Sequence, residues 1–142
     1  MESSPVIVEA TYDASAQKVW KALTENNEMK KWYFNLDEFK PEVGFQFQFE
    51  GGTETKTYTH LCEITQVIPG RKISYTWKYK GYRGSSEVTF ELFPEGEKTS
   101  LKVTHEGLES FPDSSDFAKE SFKSGWTEII GTNLKAFVEK ES

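Results

Sequence analysis

Lys72-Ile73-Ser74-Tyr75-Thr76-Trp77-Lys78-Tyr79 alternates large apolar or aromatic side chains with short polar or basic ones. A period of two belongs to a strand with one dry and one wet face. Working outward, the same alternation gives inward sets Phe45, Phe47, Phe49; Tyr58, His60, Cys62, Ile64; Ser86, Val88, Phe90, Leu92; and Leu101, Val103, His105. The outward sets are Thr57, Thr59, Glu63; Lys72, Ser74, Thr76, Lys78; Glu87, Thr89, Glu91; and Lys102, Thr104, a polar face expected to be wet. Turn signals at Pro41 to Gly44, Gly51-Gly52, Pro69-Gly70, Lys80 to Gly84 and Pro94 to Gly96 separate these runs. Spacing this short leaves no room for crossover helices, so the strands pair antiparallel as a meander.

Upstream of the block, residues 5–12 read as a first strand, with Asp13 and Ser15 able to cap a helix immediately after it. Val19, Trp20 and Leu23 have helical spacing and predict a helix over 15–24, and Met29 with Trp32 predicts a second, short one over 26–32. Downstream, a long helix is expected from Ser114 to Glu139, with Asp113, Ser114, Ser115 and Asp116 as cap candidates. Stepping 100° per residue puts Phe122, Trp126, Ile129, Ile130, Asn133, Leu134, Ala136 and Phe137 on its apolar stripe. A curved antiparallel sheet and this helix cover one another, which makes the chain an α+β protein in one domain, 1–142. Gly125 and Gly131 inside the helix each cost about 1 kcal/mol relative to Ala, and the close approach of another element is the expected reason.

These pieces resemble the activator-of-Hsp90-ATPase-like family of the Bet v 1/START-like superfamily. The matching residues are Ser15-Ala16 with Val19-Trp20-Lys21-Ala22-Leu23-Thr24 and Trp32; Glu63-Ile64 leading to Val67-Ile68-Pro69-Gly70-Arg71-Lys72-Ile73-Ser74-Tyr75-Thr76-Trp77; Val88-Thr89-Phe90-Glu91-Leu92; Thr99-Ser100-Leu101-Lys102-Val103-Thr104-His105; and Gly125-Trp126. The resemblance implies a helix-grip fold, in which a bent seven-stranded antiparallel sheet wraps around a long C-terminal helix, with two short helices after the first strand. The superfamily includes lipid carriers, hormone receptors, polyketide aromatase/cyclases and co-chaperones, so function has to be argued from the site.

The polar residues of the inward face are the candidates for chemistry. His60 and His105 titrate near neutral pH when unperturbed, and are either acid/base groups or structural and ligand-orienting ones. A Cys62 and His60 pair has the elements of an activated thiol but no third group to orient it. No CxxC or HExxH spacing supports a metal, and no glycine-rich phosphate loop is present, so neither metal nor cofactor is expected. Asn133 on an apolar stripe needs partners for its amide; it bonds a sheet side chain such as His105 or offers the amide to a ligand. Trp32-Tyr33-Phe34, at the cavity mouth in the family's fold, form either a gate or a hydrophobic plug.

With 15% aromatic residues against 36% hydrophobic, the core is built from few, large side chains, a composition that allows an internal cavity. A net charge of −6, with basic clusters no longer than Lys30-Lys31 and Arg71-Lys72, opposes nucleic-acid binding. No run approaches the ~20 apolar residues of a membrane span, and residues 1–14 lack the pattern of a signal peptide. A soluble cytoplasmic protein is expected, and the single Cys62 agrees with a reducing compartment.

Together these features point to a protein that binds a small apolar, aromatic or lipid-like molecule in a cavity between sheet and helix, without turnover. Its lining would be Trp32, Phe34, Phe47, Tyr58, His60, Tyr75, Trp77, Val88, Phe90, His105, Trp126, Ile129 and Asn133. The alternatives are a co-chaperone-like module of the Hsp90-activator type, whose partner binds outside the cavity, and a cyclase- or hydrolase-type enzyme with His60 or His105 as base.

Overall fold

A computed structural model describes residues 5–33, 38–52, 57–111 and 119–139. The chain runs β1 (Val6–Tyr12), α1 (Ala16–Thr24), α2 (Asn26–Trp32), β2 (Gln46–Gly52), β3 (Thr57–Ile68), β4 (Lys72–Tyr79), β5 (Ser86–Glu95), β6 (Lys98–Glu106) and a 3₁₀ turn (Leu108–Ser110). Beyond it lies a long helical run: α3 (Lys119–Glu128), a π-helical turn (Ile129–Leu134) and α4 (Lys135–Val138). The expected caps at 113–116 and the start of the helix at 114–118 lie outside the described residues, as does Phe34.

Six antiparallel strands form one sheet in the order β1-β6-β5-β4-β3-β2, one fewer among the described residues than the seven the resemblance implies. The meander β2 to β6 results from its short turns, and β1 returns to pair with β6. Since β1 and β2 are opposite edges, α1 and α2 carry the chain across from one to the other. Ser15 caps α1 by accepting from the Lys18 amide at 3.2 Å, and α1 buries Val19, Ala22 and Leu23. Trp32 Nε1 donates back to the Ala22 carbonyl at 2.9 Å, which fixes α2 against α1.

Every inward residue of the alternation is buried except Phe45, which is partly so. On the outer face the register lines up Glu9, Lys102, Glu91 and Lys72 across four strands, alternating in sign. Opposite charges facing one another favour this register over a slip. Ser74 departs from the expected wet face: it is buried and its hydroxyl bonds that of Thr89 at 2.9 Å, a short side chain overshadowed by longer neighbours.

The long helix departs from its simple helical wheel. Its buried residues are Phe122, Trp126, Ile130, Leu134 and Val138, four apart throughout. In an α-helix each such step overshoots a turn by about 40°, so five positions would drift by about 160° around the axis. The wider i→i+5 turn over 129–134 takes up much of that drift and keeps Ile130, Leu134 and Val138 buried. Asn133 is thereby turned outward and exposed, against the expectation that it sits on the stripe; Ala136 is exposed too, while Ile129 and Phe137 are partly buried. Tyr12 Oη donates to the Ile130 carbonyl inside the wide turn at 2.8 Å, and Lys135 Nζ reaches the Thr11 carbonyl at 3.2 Å, tying this part of the helix to β1.

Two glycines join the end of the β4–β5 hairpin to the turn after β6. Gly84 has φ +106, and a Cβ there would lie 2.6 Å from the Ser110 carbonyl oxygen and 2.6 Å from the Phe111 ring. Gly107 has φ +85 against the backbone of Ser85 and Ser86. The helix glycines are different: a Cβ on Gly125 or Gly131 meets nothing within 4 Å among the described residues, so no close approach among them explains either glycine. Gly125→Ala should therefore raise the free energy of unfolding by about 0.5–1 kcal/mol. Gly84→Ala should lower it by more than about 1 kcal/mol, since the left-handed backbone and the contact with Ser110 both oppose a side chain. Urea denaturation of the two variants beside the parent checks both signs.

Candidate functional site

The sheet wall under α3 is a mesh of rings. Phe47 and Phe49 stack along β2 at 6.4 Å, Phe47 meets Tyr75 edge-on at 5.0 Å, and Phe49 meets Trp77 edge-on at 5.6 Å. Trp126 comes down from α3 onto Trp77 at 5.4 Å and Phe90 at 5.6 Å. These edge-to-face contacts set positive ring edges against negative faces and add to the burial energy.

His105 is fully buried at the end of β6, across from Val88 on β5 and Val6 on β1. Trp126 Nε1 donates to His105 Nδ1 at 3.0 Å. An indole nitrogen is only a donor, so Nδ1 accepts and the imidazole proton sits on Nε2. That N–H faces Ser86 Oγ at 2.8 Å, and Ser86 donates its own proton to the Trp77 carbonyl at 3.0 Å. The relay Trp126 to His105 to Ser86 to Trp77 satisfies both nitrogens and crosses from helix to sheet. Protonating Nδ1 would set two N–H groups against each other, in agreement with burial lowering the imidazole pKa to about 3.

His60 is buried on β3, stacked on Phe49 at 4.5 Å and edge-on to Trp77 and Tyr79 at 5.0 and 4.8 Å. Burial lowers its pKa to about 4 and outweighs hydrogen bonds to the backbone of Phe49 and Tyr58. Burial also pushes the Cys62 thiol far above its ordinary range, so the thiolate that a Cys62 and His60 pair would need is disfavoured.

A second polar spot lies toward α2. Tyr33, the residue that ends that helix, is half-buried; its hydroxyl bonds that of Tyr75 at 2.8 Å. Its ring stacks on Trp32 at 4.9 Å and leans on Phe49 and Trp126 at 6.0 and 6.3 Å. Trp32 is buried and pinned by its indole N–H, as a plug would be.

Of the expected lining, Phe47, Tyr58, His60, Tyr75, Trp77, Val88, Phe90, His105 and Trp126 share this one buried interior, Trp32 adjoins it through Tyr33, and Ile129 packs at its margin. Asn133 is outside, and the His105 partner proposed for it is taken by Trp126. Ser86 and Tyr33 join the site although the expected lining omits them, the sequence placing Ser86 only on the inward alternation and Tyr33 only in the gate or plug. Ser86 was readable from its place on the inward alternation, whereas the reach of Tyr33 to Tyr75 spans 42 positions and left no local signal. Three recesses among the described residues lie on the outer side of the sheet. One of about 460 Å³ is lined by Gln46, Phe47, Gln48, Leu61, Cys62, Glu63, Thr76 and Lys78. Among the described residues no three His, Cys, Asp or Glu are grouped to hold a metal, and no helix is long and apolar enough to cross a membrane.

A bent antiparallel sheet gripping a long C-terminal helix, with two short helices after the first strand, is the helix-grip, Bet v 1-like fold. The chain belongs to the family described as activator of Hsp90 ATPase homolog 1-like protein, whose model matches residues 13–139. Among solved structures it is similar to MLL2253 from Mesorhizobium loti, at 27% identity and TM-score 0.81, covering 97% of this chain and 98% of that one. It is also similar to DynU16, from the dynemicin biosynthetic locus, at 21% identity and TM-score 0.81; 98% of this chain spans only 48% of that protein. A third is the Aha1 dimer from Colwellia psychrerythraea, at 21% identity and TM-score 0.73, covering 96% of each chain. At 21% identity the likeness is one of fold. No curated protein sequence matches the chain. Family and fold support a ligand-binding or co-chaperone-like module.

Both histidines are held neutral in the folded chain but take protons near pH 6.5 when unfolded. Stability is therefore full above about pH 6.5 and declines on acidification. The decline should approach about 1.4 kcal/mol per pH unit for each histidine well below pH 6.5, until the folded imidazoles titrate near 4 and 3. Unfolding free energies between pH 7 and 5 should show this slope, and His60→Phe should roughly halve it. An NMR titration in which either imidazole shifts above pH 6 in the folded protein would contradict it.

Proposed function

We propose that the protein is a non-catalytic binding module that takes a small apolar or aromatic molecule against the ring-lined sheet wall beneath the long helix. The observation that carries this reading is the continuity of the wall: Phe47, Phe49, Tyr75, Trp77 and Phe90 meet ring to ring, with Trp126 closing over them. Burial of apolar area at about 25 cal/mol per Å² supplies the affinity, and the few polar groups among the rings supply orientation. Because the described rings interlock, the ligand gains its place by displacing a side chain. Turnover does not fit this wall. A general base works best with a pKa near the operating pH and within reach of its proton, whereas both imidazoles are buried and held neutral, and that of His105 is engaged at both nitrogens.

The second reading is a partner-binding module. It is favoured by the family's co-chaperone description and by the outer recess over β2, β3 and β4, which offers Gln48, Glu63 and Lys78 to a protein surface.

Native mass spectrometry and thermal shift against lipids, aromatics and polyketides separate the two. The first reading expects at least one apolar class to give a mass-resolved complex and a rise in Tm, both lost in Val88→Trp once circular dichroism shows that variant folded. Val88 is fully buried between Tyr75 and His105, so the added indole fills the wall. No complex in any class, together with one stoichiometric protein partner retained by Val88→Trp, would put the second reading in its place.

A further inference from the structure

Within the ring mesh, Tyr33 is the phenol that comes from the end of a seven-residue helix and remains half-buried, while its hydroxyl reaches Tyr75, which is 2% exposed. Its ring lies against Trp32, Phe49 and Trp126, so the slot it fills has aromatic walls and a phenolic hydroxyl at its floor. Turning Tyr33 outward breaks no strand pairing and leaves the helix-to-sheet relay through His105 intact. Besides the ring contacts given up, it leaves a polar cost inside: the Tyr75 hydroxyl without the partner it has in Tyr33, in an apolar surround. A hydroxylated aromatic ring removes that cost, because it repeats the chemistry of the side chain it replaces. An apolar ring without the hydroxyl fills the same volume and leaves Tyr75 unmet.

We infer that Tyr33 is an internal stand-in for the ligand, and that the binding site selects a molecule carrying a phenolic ring which takes Tyr33's place against the Tyr75 hydroxyl. This rests on the reading of the sheet wall as a binding site and adds the ligand class and the residue that competes with it. Phenols are un-ionised at neutral pH, and burial above all, with Cys62 acting in the same direction, pushes both well above the ordinary tyrosine range, so the pairing is between neutral hydroxyls.

The test uses p-cresol, the side chain of tyrosine as a free molecule, against toluene, each titrated into the full chain by calorimetry. In Tyr33→Ala, p-cresol should bind at least about tenfold more tightly than in the parent, because the competing ring is gone. Its preference over toluene should fall roughly fivefold on adding Tyr75→Phe, the factor that one net hydrogen bond supplies. Comparing the ratio across the two backgrounds removes the difference in ligand hydration. If circular dichroism shows Tyr33→Ala unfolded, Tyr33→Leu opens a smaller slot on the same prediction. A folded variant with no gain for p-cresol, or a preference unchanged by Tyr75→Phe, overturns the inference. It would do so without touching the broader reading if the parent still bound other apolar molecules, and that reading fails separately if the parent binds none.

Discussion

The hydrogen-bond relay from Trp126 through His105 and Ser86 to the Trp77 carbonyl is the constraint around which the interior is arranged. A long helix on a sheet could slide or roll if only rings met, because apolar contact is non-directional. The relay removes that freedom: one indole N–H on α3 has to meet one imidazole nitrogen on β6, and the imidazole has to meet one hydroxyl on β5. Each partner is buried, so misplacing any of them leaves donors or acceptors unmet at roughly 1–3 kcal/mol apiece. Directional bonds thus fix the register of a contact whose bulk energy is non-directional.

The same constraint explains why the helix is not a plain α-helix. With Trp126 held over His105, the residues beyond it must keep facing a sheet which they cross at four-residue spacing. The π-helical turn over Ile129–Leu134 reconciles the two, and Tyr12 places a sheet-borne hydroxyl on the Ile130 carbonyl within it. Local irregularity in the helix is the consequence of regular contact with the sheet.

How far the sequence could be read depends on the range of the forces involved. Strand alternation is a local property, and the inward sets from Phe47 to His105 were legible because each residue's face depends on its neighbours two positions away. The helix wheel was less so: Asn133 was expected inside and lies outside, since a 100° step assumes the α geometry that the tertiary contact overrides. Pairings such as Tyr33 with Tyr75, or His105 with Trp126 in place of Asn133, join residues far apart in the chain and leave no periodic trace. The closure of His105 on both nitrogens was likewise unreadable, although it decides between base and strut. Gly125 and Gly131 mark the opposite limit, where sequence logic called for a close approach and the described residues leave open space.

Two polar constellations therefore share one aromatic wall, and they differ in how they could yield. Opening the His105 relay where the helix meets the sheet would leave an indole N–H and an imidazole nitrogen unmet in the dry interior at once, and would release the helix from the sheet. Opening the Tyr33–Tyr75 contact leaves a single buried hydroxyl, while the other partner, at the edge of the mesh, swings toward water. The difference of about one unmet group is roughly 1–3 kcal/mol on the usual scale for buried polar atoms, a sizeable share of the roughly 5–15 kcal/mol that holds a domain folded. The interior thus has a stiff side that sets its shape and a compliant side where that shape can be entered. The physical division between them, and not the reactivity of either histidine, favours recognition over catalysis.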